Sequence, residues 1–198
     1  MDVAGSASPH APLIVSLRFD AACFAVLDAL RRAHFPPERN VLSAHLTLFH
    51  ALPAMLEGVV HAALVALAAT TGPLPVAFFR VRSLGGGVAL DVDAPALVEL
   101  RARLARRFAA HLTRQDAQGW RPHVTVQNKV DAETARRTFE ALCPGFVPWT
   151  GSGLGLDLWR SRGGPWEAVA SAPFAAGLSV SSSAVSSSDS SPAASAPR

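Results

Sequence analysis

One four-residue pattern occurs twice in this chain of 198 residues and restricts the folds that it can adopt. Residues 45–48 read His-Leu-Thr-Leu and residues 123–126 read His-Val-Thr-Val, so both follow the order histidine, apolar, threonine, apolar. Side chains alternate between the two faces of a β-strand, so each stretch predicts a strand with His and Thr on one face and apolar residues on the other. A repeated strand of this kind predicts two similar lobes that face each other. We call the two stretches the first and the second motif.

The rest of the chain alternates between the periods of strands and helices. Alternating apolar residues predict a strand at Leu13–Phe19, and the spacing of Leu97, Leu100, Leu104 and Phe108 predicts an amphipathic helix. The predicted order is β-α-β-α-ββ-α-β-α-ββ, which approximately repeats. We therefore predict an α+β protein with two pseudo-symmetric lobes, each a mainly antiparallel sheet with helices, in which the motif strands line a central cleft.

The boundaries of the remaining elements follow from turn and capping residues. Further strands are predicted at about 42–49, 75–84, 88–92, 123–128, 154–160 and 166–171. Asp20 and Asp131 are predicted to cap the helices that follow them. Gly85–Gly87 is predicted to be a hairpin turn and not a phosphate cradle, because no Lys-Ser or Lys-Thr pair and no helix follows it.

Composition divides the chain into a folded unit and two flexible ends. Half of the residues from Ser179 to Arg198 are Ser, and the stretch has no aromatic residue. Such a segment buries too little apolar surface to offset the entropy of ordering it. We expect a flexible N-terminus at 1–11, one bilobal domain at 12–175 and a disordered Ser/Ala/Pro-rich tail at 176–198.

Charge and apolar content exclude several classes of function. The formal net charge is +3, and Lys129 is the single lysine among 18 basic residues. This charge is too small to predict a binder of duplex DNA. The sequence contains no apolar run of membrane-spanning length and no signal peptide, and Cys23 and Cys143 have no partner at metal-binding spacing. We expect a cytoplasmic monomer with no membrane association, no metal and no cofactor.

The paired motifs resemble those of the two-histidine (2H) phosphoesterase superfamily, which includes 2′-5′ RNA ligase-like proteins and RNA 2′,3′-cyclic phosphodiesterases. Pro122 directly precedes the second motif, as is usual in the family. The resemblance covers about residues 13–174, and the two-lobed fold of the family agrees with the predicted repeat. The chain has no Tyr, which family members often carry near the end of the domain; Trp166 falls at a comparable place.

The resemblance implies acid–base catalysis on a phosphodiester. His45 and His123 would be the catalytic pair, one accepting a proton from the attacking group and the other donating one to the departing oxygen. Thr47 and Thr125 would donate hydrogen bonds to the nonbridging oxygens. Which histidine is the acid and which the base depends on the direction of the reaction, so the sequence leaves this open.

Four further residues are candidates for substrate contacts. Arg121 and Lys129 flank the second motif and could bind phosphate. Trp166 and Trp120 could stack on a base.

Two other histidines are expected to lie outside the site. His111 and Thr113 repeat the two-residue spacing, but they fall at the end of a helical pattern, where residues i and i+2 diverge. His50 follows His45 by five positions, so on a regular strand it points to the opposite face and reaches the cleft only if the strand has a bulge. We treat neither as catalytic.

The resemblance thus implies a metal-independent enzyme that opens RNA or nucleotide 2′,3′-cyclic phosphates to 2′-phosphomonoesters, with a neighbouring activity on 2′-5′ linkages as in 2′-5′ RNA ligases. Its partner would be an RNA or nucleotide that carries a cyclic phosphate or a 2′-5′ linkage. Two alternatives stay open. One is an RNA-binding module without turnover, and the other is a processing enzyme for small cyclic nucleotide or ADP-ribose phosphates.

Overall fold

The computed structural model describes residues 11–175. The predictions for the first ten residues and for the tail from 176 onward lie outside the described residues. Within 11–175, no helix is both long enough and apolar enough to cross a bilayer.

The order of elements agrees with the sequence prediction, with one short helix added before β5. The strands are β1 (Leu13–Phe19), β2 (Leu46–Leu52), β3 (Leu74–Ser83), β4 (Val88–Asp93), β5 (His123–Gln127), β6 (Trp149–Ser161) and β7 (Trp166–Pro173). The helices are α1 (Ala21–His34), α2 (Glu57–Ala68), α3 (Pro95–Arg107), α4 (Arg114–Ala117) and α5 (Ala132–Leu142). Asp20 and Asp131 cap α1 and α5 as predicted, each accepting a hydrogen bond from a first-turn N–H.

The seven strands of residues 11–175 belong to one antiparallel sheet with the order β2-β1-β6-β3-β4-β5, and β7 also pairs with β6. The 13-residue β6 belongs to both halves of this sheet. Its Gly153 pairs with Phe19 of β1 on one edge and with Leu74 of β3 on the other. The first half therefore contains β2, β1, β7 and the end of β6, and the second half contains the start of β6 with β3, β4 and β5. The α+β fold class is confirmed.

The sheet curls so that its two outer strands meet. Strands β2 and β5 stand at opposite ends of the strand order, yet they contact each other. Helix α1 follows the first strand in sequence but packs against β5 as well as β6. This curling places the two motif strands next to each other, which is the arrangement that an active-site cleft requires.

Candidate active site

The first motif ends in a β-bulge. Thr47 pairs with Ser16 and Phe49 pairs with Val15, so β2 has two steps where β1 has one and Leu48 is the extra residue. Leu48 and Phe49 are both fully buried, whereas Thr47 is half-buried. The side chains of the motif therefore alternate as predicted up to the bulge and change phase after it.

The second motif ends in the same way. Thr125 pairs with Ala89 and Gln127 pairs with Val88, so Val126 is the extra residue of β5. Val126 and Gln127 are both buried and Thr125 is half-buried, as at the corresponding positions of β2. The repeat detected in the sequence thus extends to an identical bulge at its fourth position.

Both motif histidines are held in the same orientation by a backbone carbonyl two residues earlier. The Nδ1 of His45 lies 2.7 Å from the Ser43 oxygen, and the Nδ1 of His123 lies 2.9 Å from the Arg121 oxygen. A carbonyl oxygen only accepts hydrogen bonds, so Nδ1 carries the proton in each ring. Nε2 is therefore the nitrogen that each imidazole offers to a substrate.

Two long-range hydrogen bonds hold the motif strands together. Arg31 of α1 donates from Nη1 to the Thr125 oxygen at 2.8 Å and from Nε to the Leu42 oxygen at 2.9 Å. Trp120 donates from Nε1 to the Thr47 oxygen at 3.1 Å. Each lobe thus supplies a side chain that binds the backbone of the other motif, and this fixes the spacing of the two histidines.

Helix α1 also positions the backbone directly before His45. The Ala44 N–H donates to Oδ1 of Asp28 at 3.0 Å, and both residues are buried. Strand β2 begins at Leu46 rather than at the predicted residue 42, so His45 stands at the end of this braced loop. A buried backbone N–H needs a hydrogen-bond partner, and Asp28 supplies one here, where no neighbouring strand does.

Burial keeps the His45 imidazole neutral. It lowers the pKa of His45 to about 4, outweighing the Ser43 carbonyl, which raises the pKa. Positive charge on Arg31, His50 and His123 lowers the pKa further. His123 and His50 are therefore both near enough to His45 to affect its pKa.

Burial also lowers the pKa of His123, but its surroundings are mixed. The Arg121 carbonyl and the carboxylate of Asp91 raise the pKa, while the charges of Arg82 and His50 lower it. The two motif histidines therefore have unequal surroundings, since a carboxylate raises the pKa of His123, whereas Arg31, His50 and His123 all lower the pKa of His45.

Two arginines that the sequence prediction missed lie beside the second motif. Asp91 pairs directly with His123 across β4 and β5, and its side chain is 1% exposed. Arg80 contacts one oxygen of Asp91 at 2.7 Å and Arg82 the other at 2.6 Å. Arg82 is in register with Ala89, which in turn pairs with Thr125. Arg80, Arg82 and Asp91 thus form a cluster with one net positive charge, and it lies on the face of the sheet that holds the second motif.

A count outward from the predicted hairpin turn would have found this cluster. Gly85–Gly87 does form the turn, and Ser83 pairs with Val88 at its base. Counting back along both strands brings Arg82 and Arg80 to the face of Asp91. The spacing Arg-x-Arg on a predicted strand is therefore the sequence signal that indicates this cluster.

The predicted phosphate contacts Arg121 and Lys129 are both exposed. Arg121 provides the carbonyl that orients His123. Lys129 follows the end of β5 with a positive φ of 62°, and its carbonyl accepts a hydrogen bond from Arg39. The structure thus gives each residue a backbone role.

The two tryptophans proposed to stack on a base occupy different positions. The ring of Trp166 lies 4.6 Å from the ring of His45, centroid to centroid. Trp120 is turned into the protein, with its indole nitrogen on the Thr47 oxygen and the Arg101 guanidinium 5.7 Å from its ring. Of the two, Trp166 lines the cavity beside His45.

That cavity has a volume of about 520 Å³ and opens next to His45. Its walls are mainly apolar and include Phe24, Val41, Trp159 and Trp166, and they include the ion pair of Arg18 with Asp157. Phe24 is 39% exposed and Val41 is 55% exposed. Exposed apolar side chains around a cleft are typical of a ligand-binding surface.

His111 lies in a helical segment as predicted, whereas His50 meets the condition under which it was expected to reach the cleft, because β2 has a bulge before it. His111 ends a short 3₁₀ segment, Ala109–His111, and is exposed. His50 follows the bulge at Leu48, which resets the alternation and places His50 on the face of His45 and Thr47. Among residues 11–175, no group of three or more His, Cys, Asp or Glu side chains could hold a metal ion.

Comparison with known proteins identifies the family. The sequence profile described as the 2′-5′ RNA ligase superfamily matches residues 19–165. The chain belongs to this superfamily. It is therefore a 2H phosphoesterase, and a phosphoesterase-type function follows. No curated protein matches the chain.

Solved structures with this fold include phosphoesterases. TT0787 of Thermus thermophilus has a TM-score of 0.59 at 15% identity, covering 82% of this chain and 97% of its own. A protein described as a phosphoesterase has a TM-score of 0.56 at 18% identity, with coverages of 83% and 98%. E. coli LigT in complex with ATP has a TM-score of 0.54 at 21% identity, with coverages of 84% and 99%.

Proposed function

We propose that this superfamily member is a metal-independent cyclic phosphodiesterase that opens RNA or nucleotide 2′,3′-cyclic phosphates to 2′-phosphomonoesters. The observation that carries the proposal is the matched orientation of His45 and His123, each with Nδ1 on a carbonyl, which leaves Nε2 to meet a substrate. Two imidazoles provide one proton acceptor and one proton donor, so both proton transfers of the reaction have a partner.

We assign the roles of the two histidines in ring opening from the different causes that shift their pKa values. His45 has the strongly lowered pKa and is neutral near pH 7, so its Nε2 accepts the proton of the attacking water. The new bond joins the water oxygen to phosphorus, and the bond from phosphorus to the 3′ oxygen breaks. His123, whose imidazolium form the Arg121 carbonyl and Asp91 stabilise, donates its Nε2 proton to that oxygen. Reversal of these roles would support formation of a 2′-5′ linkage.

Both lobes supply groups that stabilise the negative charge that develops on the phosphate. Thr47 and Thr125 share the faces of the two histidines, and their hydroxyls donate to the nonbridging oxygens. Arg82, next to Thr125 across the small Ala89, adds a positive charge on the side of the second motif. Arg121 and Lys129 remain candidates for contacts outside this centre.

The cavity beside His45 provides the site for the base. Its apolar walls and the ring of Trp166 suit a nucleobase, which stacks on aromatic side chains regardless of its identity. LigT has been crystallised with ATP and with 3′-AMP, which supports a nucleotide ligand for this fold. We therefore assign stacking to Trp166 and a structural role to Trp120.

Turnover of a defined panel tests the proposal. The purified protein, treated with a chelator, is expected to convert 2′,3′-cyclic mononucleotides and cyclic-phosphate-ended oligonucleotides to products with a 2′-phosphate, as identified by phosphorus NMR. A 3′-phosphate product would contradict the proposed bond cleavage. Binding of the oligonucleotides without turnover would favour the RNA-binding module, and turnover of mononucleotides alone would favour the enzyme for small nucleotides.

The pH dependence provides a second prediction. Catalysis requires neutral His45 and protonated His123, so kcat/KM is highest between their two pKa values. Burial lowers both pKa values from 6.5, that of His45 to about 4. We therefore expect a bell-shaped kcat/KM profile with its maximum below pH 6.5 and a decline from there to about pH 8.

The profile of kcat is expected to lie at higher pH than that of kcat/KM. A bound phosphodiester is an anion next to both imidazoles, and a nearby negative charge raises the pKa of each. A maximum of kcat/KM at about pH 8 or above, measured from initial rates at constant ionic strength, would contradict the assignment of these two groups.

A further inference from the structure

A third imidazole lies on the cleft face of β2 and is not used by the reaction described above. His50 stands after the bulge at Leu48, so it shares the face of His45 and Thr47. Its Nδ1 lies 3.0 Å from Oδ1 of Asp116, and the side chain is 40% exposed. His50 is thus fixed at one nitrogen and accessible from solvent.

Asp116 is built into the protein as an anchor for this histidine. Its side chain is 1% exposed, and the carboxylate also accepts the backbone N–H groups of His50 and Ala51, at 3.0 Å each. Burial raises the pKa of Asp116, but the hydrogen bonds from His50 and Ala51 lower it on balance. Arg101 donates to the Asp116 carbonyl, so the backbone of α4 is also fixed at this residue.

The partner of Nδ1 distinguishes His50 from the catalytic pair. His45 and His123 each face a neutral carbonyl, whereas His50 faces a carboxylate that compensates a positive charge on the ring. The Nε2 of an imidazolium held in this way donates a charge-assisted hydrogen bond to an anion. His50 lies on the same face as the motif pair and lowers the pKa of both of its members, so it belongs to the same cleft.

The strand geometry indicates which anion it would meet. Five residues of extended chain span at most about 17 Å, and side chains on one face of a strand stand roughly parallel. His50 follows His45 by five positions, beyond the bulge at Leu48, and its Nδ1 is held by Asp116 rather than by a carbonyl of the motif, so its ring is offset from that of His45. An anion at His50 belongs to the next group of the substrate, which in a cyclic-phosphate-ended RNA is the preceding phosphodiester.

We propose that His50, anchored by Asp116, binds the phosphodiester that precedes the terminal cyclic phosphate and makes oligonucleotides better substrates than mononucleotides. The identity of this ligand rests on the proposed function. His50→Asn is the test variant, because the Asn amide replaces Nδ1 as donor to Asp116 but has no atom at the position of Nε2. His111→Asn is the matched control, since His111 is exposed on the segment Ala109–His111.

The direct measurement is binding of two product-like probes by calorimetry at about pH 6, uridine 2′-monophosphate and the dinucleotide uridylyl-uridine 2′-phosphate. The wild type and His111→Asn are expected to bind the dinucleotide at least about tenfold more tightly. One additional phosphate contact steepens the slope of log K against log salt by about 0.7. His50→Asn is expected to lose both the preference and the added slope while its Tm stays within a few degrees.

Kinetics on the matching substrates separates this proposal from the proposed function. The ratio of kcat/KM for the cyclic-phosphate dinucleotide to that for the cyclic mononucleotide should fall about tenfold in His50→Asn. A wild type that turns over neither substrate, with the binding difference intact, would overturn the function and leave the subsite in place. An unchanged binding preference and salt slope in His50→Asn would overturn the subsite, whatever the turnover.

Discussion

The His45→Ala and His123→Ala variants should each lose at least about a thousandfold in kcat/KM toward a 2′,3′-cyclic phosphate, because each removes one of the two proton transfers. The loss should fall on kcat more than on KM, since Thr47, Thr125 and Arg82 still hold the phosphate. Groups that act as a unit are not additive, so the double variant should be about as slow as either single one.

The control for both is His111→Ala. His111 and Thr113 have the motif spacing, but His111 is exposed on a 3₁₀ segment and Thr113 caps α4. Wild-type kcat/KM is expected for this variant. Activity in His45→Ala or His123→Ala within about tenfold of the wild type, measured on protein with an unchanged circular dichroism spectrum, would contradict the catalytic assignment.

Features with strong local signals could be predicted from the sequence. The alternation over Leu13–Phe19 gives β1 its observed bounds, and Asp131 caps α5 as its position before a helical period predicts. The motif histidines were found because the same strand pattern occurs twice. These features depend on residues within a few positions of each other, so no knowledge of the fold is needed.

The start of β6 shows where tertiary contacts override a local signal. The strand was expected from about 154, but it begins at Trp149 and contains Gly151 and Gly153. A Cβ at Gly151 would lie 2.6 Å from the Cys23 sulfur, and one at Gly153 would lie 2.8 Å from a methyl group of Leu17. These glycines permit close packing in the centre of the sheet. In sequence they resemble a loop.

The position of His50 could not have been obtained from spacing alone. A strict period of two places it on the face opposite to His45, and a single extra residue at Leu48 reverses that result. The bulge has no composition signal, since Leu48 and Phe49 are ordinary core residues. The carboxylate that marks the position, Asp116, lies 66 residues away on a helix of four residues.

Arg31 was also missed, because an arginine in an amphipathic helix is ordinarily a surface residue. It is 4% exposed, and burial lowers the pKa of its guanidinium while Asp28 acts in the opposite direction. Its two hydrogen bonds to backbone oxygens join the loop before His45 to the strand of His123. Arg31 is thus a positioning residue for the whole site.

Replacement of Arg31 by Met should therefore reduce stability and activity together. The change leaves the carbonyls of Leu42 and Thr125 and the side-chain oxygen of Asn40 without their donor, a loss of about 3 to 5 kcal/mol in the free energy of unfolding. At roughly 2 to 4 °C per kcal/mol for a domain of this size, Tm should fall by about 10 °C. Well below the lowered Tm, kcat should still be about a hundredfold lower, because the two histidines lose their fixed spacing.

Arg32 provides the matched control one residue further along α1. It forms an ion pair with Asp28, at 2.8 Å, but its side chain is 67% exposed. An exposed ion pair contributes less than about 1 kcal/mol, so Arg32→Met should change Tm by only a few degrees and leave kcat near the wild-type value. Equal Tm and equal kcat in the two variants, by differential scanning calorimetry and initial rates, would show that the bridge between the motif strands does not position the site. The predicted contrast separates a surface charge from a buried one on adjacent residues, so it tests the bridging geometry itself.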